Sequence, residues 1–263
     1  MTRISLTGPQ FSDSFEPLAR CAAFAEDSGF DGVFLFDHLV PIGDHRRPVL
    51  EMAAALGALA AGTSRIGVGT LVMRAPMRGA ELSAAVASAA AAVAGSRLIV
   101  GLGAGDRLSG DEDARFGGGA ASLEERLAAV RETAALMRRN VPETSIWVGG
   151  LHPAVRELAG EVADGWNGWM IDVDRFGAIA RALPAGVAAT WGGAVVVGRD
   201  ADDVDSAVRL RGSGDGALVG TVAQIAEELR RYVDCGARHL VLSVLPNRPE
   251  RWEVAAELRA ALV

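Results

Sequence analysis

The first candidate for chemistry is the pair Asp37-His38, which follows directly on the apolar run GVFLF at residues 32–36. A run this rich in aromatic and β-branched residues predicts a buried strand. Histidine gains and loses a proton near neutral pH, so His38 is a candidate proton donor or acceptor. Because adjacent strand residues point to opposite faces, Asp37 and His38 are predicted to have separate roles. The alternative is ordinary turn chemistry at a strand end.

A second candidate lies in the stretch GLGAGD, where glycines at 101, 103 and 105 precede Asp106. The spacing is similar to a dinucleotide-binding fingerprint, but a polar loop follows where that motif requires a helix. We therefore expect the glycines to let a flat group lie close to the backbone. Asp106 is predicted to be a second acid–base or orienting group, and the alternative is an exposed loop carboxylate.

A third candidate is the turn that contains Gly149 and Gly150, followed by Pro153. The glycines free the turn, and proline suits the first position of a helix. The start of a helix presents unpaired N–H groups and a partial positive charge, which together can hold a phosphate. The pattern therefore predicts an anion-binding turn, with an ordinary strand-to-helix turn as the alternative.

Apolar stretches like those before the three candidates recur along the chain, in alternation with amphipathic helical segments. Eight strand-then-helix units are predicted, with strands over 4–8, 32–36, 66–73, 97–103, 145–150, 165–170, 193–198 and 238–245. Such alternation implies a parallel sheet, since each helix must return the chain to the same edge. Eight units in 263 residues favour a closed (β/α)8 TIM barrel over an open doubly wound sheet. Its active site would lie at the C-terminal ends of the strands.

The composition excludes several classes of protein. All 26 basic residues are arginines, so no lysine can form a Schiff base, carry pyridoxal phosphate or complete a P-loop. The net charge of −7 argues against a nucleic-acid partner. We find neither an apolar run of membrane-helix length nor a signal-peptide segment, and Cys21 and Cys235 are predicted to be reduced thiols. These features predict a cytoplasmic protein with a single domain over residues 1–263.

Several stretches together resemble the luciferase-like monooxygenase superfamily, and within it the oxidoreductases that depend on the deazaflavin coenzyme F420. Each stretch alone is a loose match, but they occur in the family's order over nearly the whole chain. They are AEDSGFDGVFLFDHL, LAAGTSRIGVGTLV, SRLIVGLGAGD, RFGGGAASLEERLAAVRETAALM, IWVGGLHPAVRELAGEVADGWN and VGTVAQIAEELRRYVDCGARHLVL. The resemblance implies a luciferase-like barrel with the cofactor at its C-terminal mouth.

The resemblance also implies roles for individual residues. His38 falls on the position of the catalytic proton donor or acceptor, and Asp106 falls where some relatives carry a glutamate, so its carboxylate reaches one methylene less far. The implied cofactor-binding residues are Asp37, Leu71, Val72, Arg74, Ala104, Gly149, Gly150, Leu151 and His152. Among them, Leu71-Val72 falls at a non-prolyl cis peptide bond with a bulge, and residues 149–152 fall on the phosphate-binding turn.

The function that follows is hydride transfer between F420 and a small substrate with a C=C, C=N or carbonyl group, with His38 moving the accompanying proton. The alternatives on the same scaffold are an FMN-dependent monooxygenase and a non-catalytic flavin-binding protein. A metal-dependent hydrolase using His38, Asp44 and His45 is a further alternative, although their spacing matches no recurrent zinc ligand set. The alanine-rich helical segments at 51–62 and 81–95 predict a homodimer.

Overall fold

The structure is a computed structural model that describes residues 2–41, 47–105, 110–116 and 121–263. It contains a parallel sheet whose strands follow the predicted apolar stretches. The strands are Arg3–Thr7 (β1), Gly32–Leu35 (β2), Gly67–Arg74 (β3), Leu98–Gly103 (β4), Ser145–Gly149 (β5), Gly165–Trp169 (β6), Ala188–Gly198 (β7), Leu218–Thr221 (β8) and His239–Val244 (β9).

Helices connect the strands and cover the outside of the sheet. They are Glu16–Asp27 (α1), Met52–Gly62 (α2), Ala75–Arg78 (α3), Ala80–Ala94 (α4), Gly110–Arg115 (α5), Leu123–Asn140 (α6), Pro153–Val162 (α7), Val173–Ala182 (α8), Ala201–Arg211 (α9), Val222–Asp234 (α10) and Pro249–Leu262 (α11). In α10 the buried residues Ile225, Ala226, Leu229 and Tyr232 share one face because they recur at helical spacing. Thr221 begins this helix in a capping box with Gln224, which satisfies its first amides.

Eight of the strands close into a ring. The pairing follows chain order from β1 to β7, and β9 then joins β7 to β1. Every pairing is parallel, so the carboxyl ends of all eight strands meet at one end of the ring. This confirms the predicted (β/α)8 barrel. Hereafter the end that carries these carboxyl termini is the mouth, and the opposite end is the base.

The strand β7 departs most from its predicted bounds, since it begins at Ala188 rather than at residue 193. Its first half pairs with β6 and β9 inside the ring, and its last residues extend beyond the ring to pair with β8. The four-residue β8 was not predicted. Its segment is too short to show a hydrophobic period, and its residues range from exposed to buried.

Aromatic and aliphatic side chains fill the interior of the ring. Phe34 stacks on Trp147 with ring centroids 5.4 Å apart, and Ile99 and Val241 complete the layer. Below it, at the base, the imidazole of His239 packs edge to face with both aromatic rings and lies 2.7 Å from Ser5 Oγ through Nε2. Burial lowers the pKa of His239 from 6.5 to about 3, so this ring is neutral in the folded protein.

Two further predictions concern the helices and the thiols. Among the helices of the described residues, none is both long enough and apolar enough to cross a membrane. Cys21 and Cys235 are both free, as predicted, and burial raises the pKa of Cys21 to about 12. A buried thiol with so high a pKa is unreactive and serves as part of the core.

Candidate active site

Asp37 anchors the mouth beside the ends of β2 and β3. Its carboxylate accepts hydrogen bonds from the backbone amide of Arg74 at 2.9 Å and from Arg78 Nε and Nη2 at 2.8 and 2.6 Å. The same Arg78 guanidinium is ion-paired with Glu51 at the start of α2. The network therefore fixes the end of β3 and the helices that follow both strands.

This arrangement changes the role expected for Asp37. Its side chain is fully buried, with 0% of its surface exposed, and both of its oxygens are bonded within the protein. No oxygen of Asp37 is accessible to a ligand, so the implied direct contact with a cofactor does not fit this geometry. Asp37 instead positions Arg74, whose backbone it holds.

His38 lies at the mouth and is bonded on one side only. Its Nδ1 lies 3.0 Å from Oε2 of Glu112 in α5, and 26% of its side-chain surface remains exposed. Among the described residues, none forms a hydrogen bond to Nε2 of this ring. The structure therefore leaves Nε2 as the nitrogen that can exchange a proton with a bound molecule.

Glu112 was not predicted as a site residue from the sequence. Its carboxylate connects the segment after β2 with the end of β3. Its Oε1 accepts from the amides of Leu39 and Val40, the second at 3.0 Å, and lies 3.0 Å from Arg74 Nη2. Burial by itself would raise the pKa of Glu112. The hydrogen bonds from His38 and Leu39 and the charge of Arg74 outweigh burial and hold this pKa below its ordinary value.

Arg74 places a buried cation at the same rim. Its Nη1 donates to Asp113 at 2.9 Å, and only 5% of its side chain is exposed. Although Nη2 is close to Glu112, it is not aligned for a hydrogen bond, and Nε also lacks a partner among the described residues. Both atoms are buried, so Arg74 contributes to the mouth as a fixed positive charge beside Glu112 and Asp113.

The peptide bond between Leu71 and Val72 is cis, and the pairing of β3 with β4 shifts register between Thr70 and Met73. Both features were implied by the family resemblance. The bulge turns the Val72 side chain toward the glycines of β4 and β5.

The Val72 side chain occupies the space that side chains at these glycines would fill. A Cβ at Gly103 would lie 2.3 Å from Val72 Cγ2, and one at Gly149 would lie 2.8 Å from Val72 Cγ1. A Cβ at Gly101 would also approach the same side chain, at 3.2 Å. For Gly101 and Gly103, the interpretation that they directly face a flat ligand needs correction, because they make room for Val72.

Aromatic side chains form another part of the wall at the mouth. The rings of Phe36 and Trp169 meet edge to face with centroids 5.6 Å apart. A Cβ at Gly192 would lie 2.6 Å from the Trp169 ring and 3.3 Å from Leu71. The side chains of Leu71 and Trp169 thus share one apolar surface above the filled interior. This surface suits a flat or apolar molecule.

In the turn from β5 into α7, some polar groups are hydrogen-bonded within the protein, and two backbone amides have no partner among the described residues. Gly150 has φ of +145°, and its carbonyl accepts from Trp166 Nε1 at 2.8 Å. His152 Nδ1 accepts from the Ala154 amide at 3.2 Å, so this imidazole begins α7 as its N-cap. No acceptor among the described residues bonds the amides of Leu151 and His152. These two N–H groups are available to an anion at the positive end of a helix.

The remaining predicted residues lie near or outside the described part of this rim. The carbonyl of Ala104 accepts from Arg126 Nη1 at 3.0 Å, and the side chain of Ala104 is buried in the core. Asp106 lies outside the described residues, as do Asp44 and His45 of the metal-site alternative. The described ranges contain no group of three or more potential metal ligands.

The contacts bring most of the predicted residues to one end of the barrel. Glu112 joins His38 to Arg74, and Val72 links β3 to Gly149 at the start of the β5–α7 turn. A ligand at this rim would meet a proton-exchanging nitrogen, an apolar wall, the positive charge of Arg74 and two amides that have no partner among the described residues. The residues therefore fit a planar group that carries an anionic tail.

Comparison with known proteins adds independent information. Residues 1–213 match the family model described as luciferase-like monooxygenase. The chain is 29% identical over 177 residues to a 5,10-methylenetetrahydromethanopterin reductase of Methanolobus tindarius, which covers 59% of this chain and 50% of that protein. It is 30% identical over 188 residues to an F420-dependent glucose-6-phosphate dehydrogenase of Nakamurella multipartita, with coverages of 59% and 53%. The chain spans about half the length of the curated relatives it matches.

A solved structure resembles the whole barrel. The F420-dependent secondary alcohol dehydrogenase in complex with an F420–acetone adduct has a TM-score of 0.81 to this chain. The two chains are 18% identical, and the match covers 100% of this chain and 99% of the other. At this identity the likeness shows a common fold.

Proposed function

Because the chain belongs to the luciferase-like monooxygenase family, we propose that it is an F420-dependent oxidoreductase that acts on a small organic substrate. The reaction would move a hydride between F420 and a C=C, C=N or carbonyl/alcohol group. The observation that carries this proposal is His38, whose Nε2 has no hydrogen-bond partner among the described residues, at the same rim as the buried cation of Arg74. The F420-dependent relatives support the choice of cofactor.

The residues at the mouth have distinct proposed roles toward this cofactor. Arg74, held by Glu112 and Asp113, would contribute its positive charge beside the deazaflavin ring. Leu71 and Val72 would back the ring, since Leu71 belongs to the apolar wall and Val72 is partly exposed beside it. Ala104 would contact the cofactor through its backbone, because its side chain is directed into the core.

The β5–α7 turn would hold the charged tail. The amides of Leu151 and His152, which have no partner among the described residues, stand at the N-terminus of the ten-residue helix α7. Gly149 and Gly150 shape the turn, because side chains there would meet Val72 and Val155. An anion at this position gains from the partial positive charge of the helix end. Asp106 remains a proposed second proton-transfer group.

The cofactor and the protein would contribute different parts of the reaction. When bound, F420 supplies the carbon that gives or accepts the hydride. His38 would give a proton to the substrate, or take one from it, at Nε2. The apolar wall of Phe36, Leu71 and Trp169 would exclude water from the reacting face.

A titration separates this proposal from the FMN-dependent monooxygenase. Purified protein is titrated with F420 and, in parallel, with FMN, and binding is followed by the fluorescence of each cofactor. We expect saturable F420 binding and weaker FMN binding; tight FMN binding without affinity for F420 would reverse the assignment. Candidate alcohols, carbonyl compounds and enones are then screened through the absorbance change of the cofactor.

We also propose a homodimer, formed through the outer faces of α2 and α4. Leu82 and Val93 on α4 are 54% and 51% exposed, and they lie eleven residues apart, on one face of the helix. The neighbouring face of α2 is made of alanine and glycine, so a second copy could approach closely. Light scattering at micromolar concentration should give twice the chain mass, and Leu82→Glu should halve it. A wild-type chain of monomeric mass would contradict the proposal.

A further inference from the structure

We infer that Glu112 is a positioning residue that fixes the orientation and tautomer of His38. The inference deepens the proposed function and rests on it for the role of His38. The distance between His38 Nδ1 and Glu112 Oε2 is 3.0 Å, although the residues are separated by 74 positions in the chain. The side chain of Glu112 is only 10% exposed, so the carboxylate is held there by the protein rather than by solvent.

The charge of Glu112 decides which ring nitrogen carries the hydrogen. An ionised carboxylate can only accept hydrogen bonds, and the pKa of Glu112 lies below its ordinary value. Nδ1 must therefore be the donor. A neutral imidazole has a single N–H, so Nε2 keeps its lone pair and faces the mouth as a proton acceptor. When the His38 ring is protonated, Nε2 also carries a hydrogen and becomes a donor. The Glu112 carboxylate then balances the positive charge of the ring.

The other oxygen of Glu112 fixes the backbone next to the ring. Oε1 accepts from the amides of Leu39 and Val40, which follow His38 directly. Ring and loop are therefore held by one carboxylate. Arg74 Nη2 at 3.0 Å stabilises the negative charge of that carboxylate without bonding to His38. This arrangement resembles the general pattern in which a carboxylate orients a catalytic imidazole through Nδ1.

The test reads the hydrogen position directly. Nitrogen-15 NMR of the imidazoles distinguishes Nδ1–H from Nε2–H through two-bond couplings to the ring protons. The chain contains four histidines, and His38 is assigned from the signals that vanish in His38→Asn. Spectra are recorded without cofactor for the wild type, Glu112→Ala, Glu112→Gln and Asp113→Asn. Asp113 is the matched control, because it neighbours Glu112 on α5 and pairs with Arg74.

We expect the Nδ1–H tautomer in the wild type and in Asp113→Asn, and a majority of Nε2–H in Glu112→Ala. Glu112→Gln keeps the shape of the side chain, and we expect a mixture of the Nδ1–H and Nε2–H tautomers of His38 in this variant. A wild-type ring with Nε2–H, or a folded Glu112→Ala that keeps Nδ1–H, would overturn the inference. If Glu112→Ala does not fold, the wild type and Glu112→Gln decide.

Steady-state kinetics then test whether the orientation of His38 by Glu112 matters for turnover. Glu112→Gln should lower kcat by about 10- to 100-fold, the usual effect of removing a partner that orients a histidine, with a smaller change in KM. An unchanged kcat would contradict the role. Exposed Glu124 on α6 serves as a control, and Glu124→Gln should leave kcat unchanged. The NMR experiment needs no cofactor, so a failure of F420 to bind refutes the proposed function without affecting the tautomer result.

Discussion

His38 and His239, at opposite ends of the barrel, stand in opposite environments. His38 follows the carboxyl end of β2, is partly exposed, and has the carboxylate of Glu112 as its partner. His239 begins β9 at the base, is buried, and has the neutral hydroxyl of Ser5 as its partner. The same side chain is therefore set up for proton exchange at one end and kept neutral at the other.

This difference shows that the residues proposed for catalysis lie at the mouth, whereas His239 at the base serves stability. At the mouth, backbone and side chains converge on charged pairs such as Asp37 with Arg78 and Glu112 with Arg74. At the base, His239 packs against aromatic rings, and its depressed pKa excludes the charged form in the folded state. Charge at the mouth can respond to a ligand, whereas a proton added at the base works against folding.

The largest effect on stability is expected from Asp37→Asn at the mouth. It removes the charge opposite Arg78, whose side chain is 10% exposed, and leaves a buried cation whose remaining counterion in the described ranges is Glu51. The free energy of unfolding should fall by about 3 kcal/mol, as measured by urea denaturation.

Its matched control is Asp27→Asn, where the carboxylate is 83% exposed and only 3.6 Å from Arg65. That change should cost less than about 0.5 kcal/mol. Equal effects for the two variants would mean that the charged network at the mouth does not stabilise the barrel.

An intermediate effect is expected from pH at the base. The pKa of His239 is about 3 in the folded chain and about 6.5 when unfolded, so its contribution is complete above pH 6.5 and is lost as the pH falls toward 3. From about pH 7.5 to about pH 5 the unfolding free energy should fall by about 2 kcal/mol. His239→Gln should remove this dependence. A flat wild-type profile over this range would show that the imidazole is not kept neutral.

The smallest effect is expected from Ser5→Ala, which removes the hydroxyl 2.7 Å from His239 Nε2. The loss of one neutral hydrogen bond should cost about 1 kcal/mol by urea denaturation at neutral pH. The pH dependence should persist in this variant, because burial is the main cause of the shifted pKa. A pH profile that flattened in Ser5→Ala would instead make the hydroxyl its cause.

Sequence patterns predicted the barrel because local periodicity encodes each strand. The apolar residues of β1, β4 and β9 form continuous buried runs, and the ends of these strands locate the mouth. The short strand β8 carries too few residues for a period, and the acidic run in α5 is typical of a loop. Local signals of this kind are weak in segments of four to six residues.

The site was less predictable because its contacts are between distant residues. No local pattern connects His38 to Glu112 or Asp37 to Arg78, which lie 74 and 41 positions apart. The resemblance implied the cis bond at Leu71-Val72 but did not show that its bulge fills the glycine-lined space. Glu112 lies in the acidic run of α5, and nothing in that run indicates which residue it contacts.

We propose that the histidine at the mouth, His38, moves the proton and that the histidine at the base, His239, does not. Single-turnover hydride transfer at about pH 7.5 tests this directly, with F420 and an acceptor from the screen, in His38→Asn and His239→Gln. We expect the rate to fall by about 10²- to 10⁴-fold in His38→Asn with F420 binding retained, and to stay near the wild-type rate in folded His239→Gln. A wild-type rate in His38→Asn, or an equal loss in both variants, would refute this assignment.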